Sequence, residues 1–240
     1  MHNAATHSAL SDALITLAMS PPKAAALEAA RQSVEQARRW TQDSGDAENM
    51  LQGLQDNDVA VSSDTDARMR AWSLGITFAR REPRSPHTAV LAAVIAMGER
   101  IPGTADIDLV SAVAVGSDAA NRLINAMNSD EYEARWNVAS SLGVVGATLA
   151  VSRLIGLDTD RARHAMGIAA TQAAGLARND NEPMSAVEVG KAAADAIEAN
   201  LLAKHGFTSA AASIDGRRGL AALMAYRFNA DAITGESGDA

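Results

Sequence analysis

Residues 165–176 read Ala-Met-Gly-Ile-Ala-Ala-Thr-Gln-Ala-Ala-Gly-Leu, and they follow an Asp158-Thr159 pair and the charged run Arg161-Ala162-Arg163-His164. Alanine has the best helix propensity, and an aspartate just ahead of such a run can accept a hydrogen bond from a free N–H of the first turn. The spacing predicts a helix over 161–177. Gly167, Thr171 and Gly175 recur every fourth residue, so one face of that helix carries small side chains. An interior glycine costs about 1 kcal/mol relative to alanine. Something must offset that cost: a tightly packed bundle with a buried central helix pair, or a backbone drawn up against a ligand. Gly143 with Gly146, and Gly190 with Ala194, pose the same choice.

Outward from this stretch the chain keeps the same idiom. Hydrophobic residues make up 48% of its 240 positions, enough for one large core, and no segment has the Val/Ile/Thr alternation of a strand. The expected class is all-α. Pro21-Pro22 separates a helix at 9–19 from one at 24–40, in which Leu27, Val34 and Ala37 share a face. Residues 41–66 read as a polar surface excursion with a short helix near 50–54. Ser85 and Pro86 form an N-cap and N1 pair for a helix at 88–100, which Ile101-Pro102-Gly103 closes. Helices are expected at 106–128, 132–157, 185–205 with Gly206 as its C′ residue, and 219–228. A packed domain over 1–229 and a frayed polar tail over 230–240 complete the reading.

Acidic groups outnumber basic ones by 29 to 21, a formal charge of −8, which disfavours a nucleic-acid partner. The chain has no cysteine, so thiolate chemistry and Cys-bound zinc are excluded. Residues 1–20 lack a basic segment ahead of an apolar one, and no apolar run nears the roughly 20 residues of a membrane span, so a cytoplasmic protein with no membrane partner is expected. The five histidines are scattered, without HxxxH or HxH spacing, and no glycine-rich phosphate loop is present. Neither a metal nor a cofactor is expected.

From Ser85 onward the order of motifs resembles the helical domain of the MmgE/PrpD family, which includes 2-methylcitrate dehydratase, cis-aconitate decarboxylase and iminodisuccinate epimerase. The resemblance is carried by Ser85-Pro86-His87-Thr88-Ala89-Val90-Leu91, by Arg135-Trp136-Asn137-Val138-Ala139-Ser140-Ser141-Leu142-Gly143, and above all by 165–176. Gly190-Lys191-Ala192-Ala193, Gly206-Phe207-Thr208 and Arg218-Gly219-Leu220 follow in family order, and Met19-Ser20-Pro21-Pro22 resembles the family's opening. The resemblance implies a multi-helix bundle, here without the α/β lid domain into which typical members continue. Any catalytic group supplied by that lid is then expected to be absent from this chain.

The family's acid–base groups sit in motifs of the type DFDDT, HPS, FHPT and TKPLHAG. Aligned without gaps, Gly75 and Ala79 fall in the first, Ser85 on the histidine of the second, and Asn137 on that of the third. Ser185 falls on the lysine of the fourth, and Glu188 on its histidine. The resemblance therefore implies a site whose inherited catalytic groups have been exchanged.

Residues near these positions suggest a replacement set. Arg80, Arg81 and Arg84 beside a helix start suit a carboxylate or phosphate ligand, or form a solvated loop. His87 is a candidate base or a surface histidine. Glu188 and Lys191 are a functional acid with its partner or an exposed i,i+3 pair. Arg135, Asn137, Arg178 and Asn179 are candidates for the same cavity, while His164 reads as solvent-facing. The candidate catalytic residues are His87, Asn137 and Glu188; the candidate substrate-binding residues are Arg81, Arg84, Ser85, Arg135 and Ser185.

Two functional readings follow. In one, the chain is a lyase- or isomerase-type enzyme on a small carboxylic acid, working through a rebuilt site. In the other it is a non-catalytic scaffold or partner subunit. Its expected association is a homodimer, or a hetero-oligomer with a lid-bearing relative.

Overall fold

The structure, a computed structural model, describes residues 8–52 and 66–235. Its helices in chain order are α1 (Ala9–Met19), α2 (Ala24–Trp40), α3 (Gly45–Gln52), α4 (Ala67–Arg81), α5 (His87–Gly98), α6 (Asp106–Met127) and α7 (Asp130–Glu133). They are followed by α8 (Val138–Ser141), α9 (Gly143–Leu154), α10 (Thr159–Gln172), α11 (Pro183–Lys204), α12 (Leu220–Met224) and α13 (Asp231–Thr234). Among the described residues the one β-type pairing is an isolated bridge between Trp136 and Leu176. The all-α class is what the structure shows.

At the centre lie α5 and α9. Thr88 to Ala96 and Gly143 to Ser152 are buried at every position, so neither helix has a solvent face. A helix apolar all round belongs in a core. Around the pair pack α4, α6 and α11, with α4 against α11 the most extensive contact in the molecule and α6 against α9 the next. Glycines sit where axes cross. A Cβ on Gly146 would lie 2.6 Å from the Gly116 carbonyl oxygen, and one on Gly75 would lie 2.5 Å from the Gly190 Cα. Tight helix packing therefore accounts for Gly146 and Gly190. Gly167 has another role: the 208–213 loop lies on it, with Ser209 Cβ and Ser213 Oγ each 2.7 Å from where a Cβ would be.

Polar ties fix the packing. Asn200, fully buried on α11, accepts from Ser152 Oγ at 2.7 Å and donates to the carbonyls of Thr148 at 2.9 Å and Ala196 at 2.8 Å. A buried amide satisfied on both sides specifies register between α11 and α9.

The helix ends at Pro21-Pro22, Asp158 and Gly206 fall where expected, with Asp158 accepting from Arg161 N at 2.8 Å and Gly206 at φ +91°. Other boundaries differ. The short helix lies at Gly45–Gln52, earlier than 50–54, and Leu54 lies outside the described residues. Ser85 is not the N-cap of α5: Pro86 holds that place, and the Ser85 carbonyl accepts from Thr88 N and Oγ1. The helix expected over 132–157 is three pieces, because Trp136 and Asn137 leave helical geometry to pair with 175–177. For the same reason α10 ends at Gln172. Its partner α11 starts at Pro183, an N1 proline, two residues before the expected Ser185. Helix α12 stops at Met224. Residues 230–235 are no frayed tail: α13 packs on α6, Ile233 is buried, and Asn229 N donates to the Ala126 carbonyl at 2.8 Å. Residues 236–240 lie outside the described residues.

Candidate functional site

The bridge between Trp136 and Leu176 builds a polar cluster. Asn137 N donates to the Gly175 carbonyl and Ala177 N to the Arg135 carbonyl, both at 3.1 Å. Gly175 has φ +133°, and a Cβ there would sit 2.9 Å from Asn137 Cβ and collide with Ser140 Oγ. Only glycine fits such a backbone this close to a neighbouring helix start. Ser140 Oγ donates to the Ala174 carbonyl at 2.7 Å, locking the extended 174–176 segment against α8.

Asn137 is the N-cap of α8, its Oδ1 accepting from Ser140 N at 3.3 Å. That use of the oxygen turns its Nδ2 toward α11, where it donates to Ser185 Oγ at 3.0 Å and Glu188 Oε2 at 3.3 Å. The other oxygen of Glu188 accepts from Asn179 Nδ2 at 2.6 Å and Leu176 N at 3.4 Å. A carboxylate fixed by three donors from two segments, the α8 start and the 176–179 turn, is an organised group. Below it Tyr132, fully buried, shares a 2.9 Å hydrogen bond with Ser141 Oγ, and burial pushes its phenol up to about 12. This tyrosine stays protonated and supports α8.

At the edge of the cluster stands Asp180. Its Oδ2 lies 3.3 Å from the exposed guanidinium of Arg84, while its buried Oδ1 has no hydrogen-bond partner among the described residues. Burial raises its pKa above the ordinary 3.8, Arg84 opposes the shift, and the charges of Glu188 and Glu133 add to it. Arg84 itself has φ +69°, a left-handed conformation that is uncommon outside glycine. Strain at a residue facing an under-satisfied carboxyl fits a functional position.

One consequence concerns stability. With the folded pKa raised, the native state holds a proton that the unfolded chain has already released between 3.8 and the folded value. Stability from Asp180 therefore falls as pH rises through that window. Asp180→Asn is expected to gain on the parent protein as pH climbs from about 4 towards 7, read from urea melts at each pH. An unchanged difference across that range would contradict the assignment.

The structure brings together Asn137, Ser185, Glu188 and Asn179, with Arg84 reached through Asp180. Ser85 follows Arg84 in the turn before α5. The remaining candidates lie elsewhere. Arg81 pairs with Asp43 and lies over the Trp40 ring at 6.0 Å, because the last turn of α4 faces the α2–α3 connection. His87 lines the groove between α2 and α6. It is half-buried rather than a surface histidine: burial lowers its pKa and a hydrogen bond with Asn121 partly restores it. The Arg135 and Arg178 side chains are exposed. Arg80 reaches Met50 Sδ at 3.3 Å.

Lys191 pairs with Asp195 instead of Glu188 and lies over Trp72. His164 is not solvent-facing: its Nδ1 accepts from Ser209 N at 3.1 Å, tying α10 to the 208–213 loop. Asp180 carries no motif signal, and only the fold reveals it. Among the described residues no three His, Asp or Glu side chains gather as a metal-binding set, and no helix is long and apolar enough to cross a membrane.

The sequence matches known proteins. The MmgE/PrpD N-terminal domain model matches residues 77–232. Human cis-aconitate decarboxylase is 29% identical over 144 residues, covering 58% of this chain and 30% of that protein. The Aspergillus terreus cis-aconitate decarboxylase is 33% identical over 121 residues, covering 50% of this chain and 25% of that one. The matched part of the chain thus spans less than a third of each relative's own length.

Proposed function

Because the chain belongs to the MmgE/PrpD family, and the relatives it matches are decarboxylases, hence lyase-type enzymes, we propose that it binds a small carboxylic acid at the Asn137–Glu188 cluster and performs lyase- or isomerase-type proton chemistry there. Decarboxylation, dehydration and epimerisation share one demand: a proton must move at a carbon beside an anchored carboxylate. In this reading Arg84 anchors the ligand carboxylate by forked hydrogen bonds and Asp180 moves the proton. Ser185 and the amides of Asn137 and Asn179 form the polar wall, and Glu188 holds both amides in place.

The observation that carries the reading is Asp180. A carboxyl with a raised pKa, a buried oxygen awaiting a partner and a guanidinium beside it is a general acid–base group in waiting. A cytoplasmic location and a homodimer, or a hetero-oligomer with a lid-bearing relative, go with this proposal.

A titration of the thermal midpoint tests it, using citrate, 2-methylcitrate, cis-aconitate and iminodisuccinate. A ligand of the native state at a hundredfold excess over its Kd stabilises by about 2.7 kcal/mol. At least one acid is expected to raise the midpoint in the parent, less in Arg84→Lys, and not in Arg84→Ala. A flat response across the panel would sink the substrate reading.

The second reading, a non-catalytic scaffold or partner subunit, is favoured by one observation. Leu176 and Met184 flank the cluster and stay 55% and 49% exposed. Apolar side chains at the lip of a polar site suit a covering partner. Association with a lid-bearing relative, without turnover alone or together, would favour it.

A further inference from the structure

Between α10, the 208–213 loop and α12 lies a cleft of about 840 Å³, a size typical of small-molecule sites. Trp136 lines it, but none of Asn137, Asn179, Asp180, Ser185 and Glu188 does, so it is distinct from the site proposed above. Its walls are mainly apolar, with Trp136 at one end, Ile168 along α10 and Met224 on α12. Three hydroxyls in the wall are already engaged: Thr171 Oγ1 donates to the Ile168 carbonyl at 2.6 Å, Ser209 Oγ to the His164 carbonyl at 3.2 Å, and Ser213 Oγ to the Ala210 carbonyl at 2.5 Å.

Charge then decides what fits. Among the described residues the one charged side chain lining the cleft is Arg218, and it has no carboxylate partner there. No acidic side chain lines the cleft to repel an anion. An apolar trough closed at one point by an uncommitted guanidinium complements a ligand with a hydrocarbon body and a single anionic head. Citrate-like acids, charged along their whole length, would desolvate carboxylates against apolar walls and are disfavoured.

We propose that this cleft binds a medium-chain aliphatic monocarboxylate, its carboxylate on Arg218 and its chain along Trp136, Ile168 and Met224. The ligand is a bound effector or carried acid, and no covalent step is involved.

Calorimetric titration with butanoate, hexanoate and octanoate, and with octanol as the uncharged control, tests this on the full chain. Affinity is expected to rise about threefold to fourfold per added methylene. Octanol and the Arg218→Ala variant are each expected to bind at least about tenfold more weakly. Arg218 is exposed, so its removal leaves the fold intact. Ala170→Leu, which fills the wall, is expected to abolish octanoate binding; if that variant fails to fold, the octanol and Arg218→Ala arms decide. Equal binding of octanol and octanoate, parent-like binding by Arg218→Ala, or no octanoate binding at all would overturn the proposal. So would a self-association that closes the cleft, seen as a dimer broken by Leu223→Lys.

Discussion

Gly190→Ala is expected to lower the unfolding free energy by about 2–3 kcal/mol, although alanine is the better helix former by about 1 kcal/mol. A Cβ at this position would lie 2.7 Å from Trp72 Cδ1 and collide with the Trp72 carbonyl oxygen. The obstacle includes backbone, so relief requires α4 and α11 to separate along their most extensive contact. Trp72 Nε1 donates to the Val187 carbonyl at 3.2 Å, and that bond would be stretched as well. Gly45 supplies the control, since nothing lies within 4 Å of a Cβ there, and Gly45→Ala should be neutral or mildly stabilising. Denaturant melts of both variants check this. A Gly190→Ala protein as stable as the parent would mean that the crossing is looser than described. Glu188 sits two residues before Gly190 on α11, so the same substitution should also weaken any ligand bound at the cluster.

The second large effect is on chemistry. If Asp180 moves the proton, Asp180→Asn should reduce turnover by about 10² to 10⁴, the usual contribution of a positioned acid or base. The amide keeps the shape and a hydrogen-bonding oxygen towards Arg84, so the ligand-induced rise in thermal midpoint should survive. Glu188→Gln should behave differently. Its side chain takes donors from Asn137, Asn179 and Leu176, and an amide offers one oxygen where the carboxylate offered two. Loss of ligand binding together with about 1–3 kcal/mol of stability is expected there. Assays of turnover and midpoint on both variants separate a proton carrier from a positioning residue. Parent-like turnover in Asp180→Asn would remove Asp180 from the mechanism.

Much of the fold was legible because proline, glycine and aspartate punctuate it. Pro21-Pro22, Asp158 and Gly206 each act through local backbone chemistry, which needs no tertiary context. Helix α4 was not, despite making the most extensive packing. Its charged ends and the polar 41–66 stretch before it hide a segment whose Gly75 matters only against α11. The break at Trp136–Asn137 was also hidden, since it exists to pair with 175–177, some forty residues away.

The candidate site divides along the same line. Asn137, Ser185 and Glu188 stand at motif positions, and the structure joins them by hydrogen bonds. Arg81, a cation beside a helix start, and His87, two residues from Ser85, looked equally apt in sequence, but helix rotation sends them to the α2 side of the molecule. Asp180 stood in a loop of ordinary polar residues. Only burial and the approach of Arg84 distinguish it.

Solvent deuterium exchange followed by proton NMR tests the central claim most directly. Citrate and 2-methylcitrate, incubated with the protein in D₂O, carry methylene protons beside carboxylates that a working acid–base group would exchange. The account predicts that the parent introduces solvent deuterium beside a carboxylate, in whichever acid raises its thermal midpoint or in the product formed from it, and that Asp180→Asn binds the acid without labelling it. An acid that binds the parent yet gains no deuterium in itself or in a product, or one labelled equally by Asp180→Asn, would contradict it.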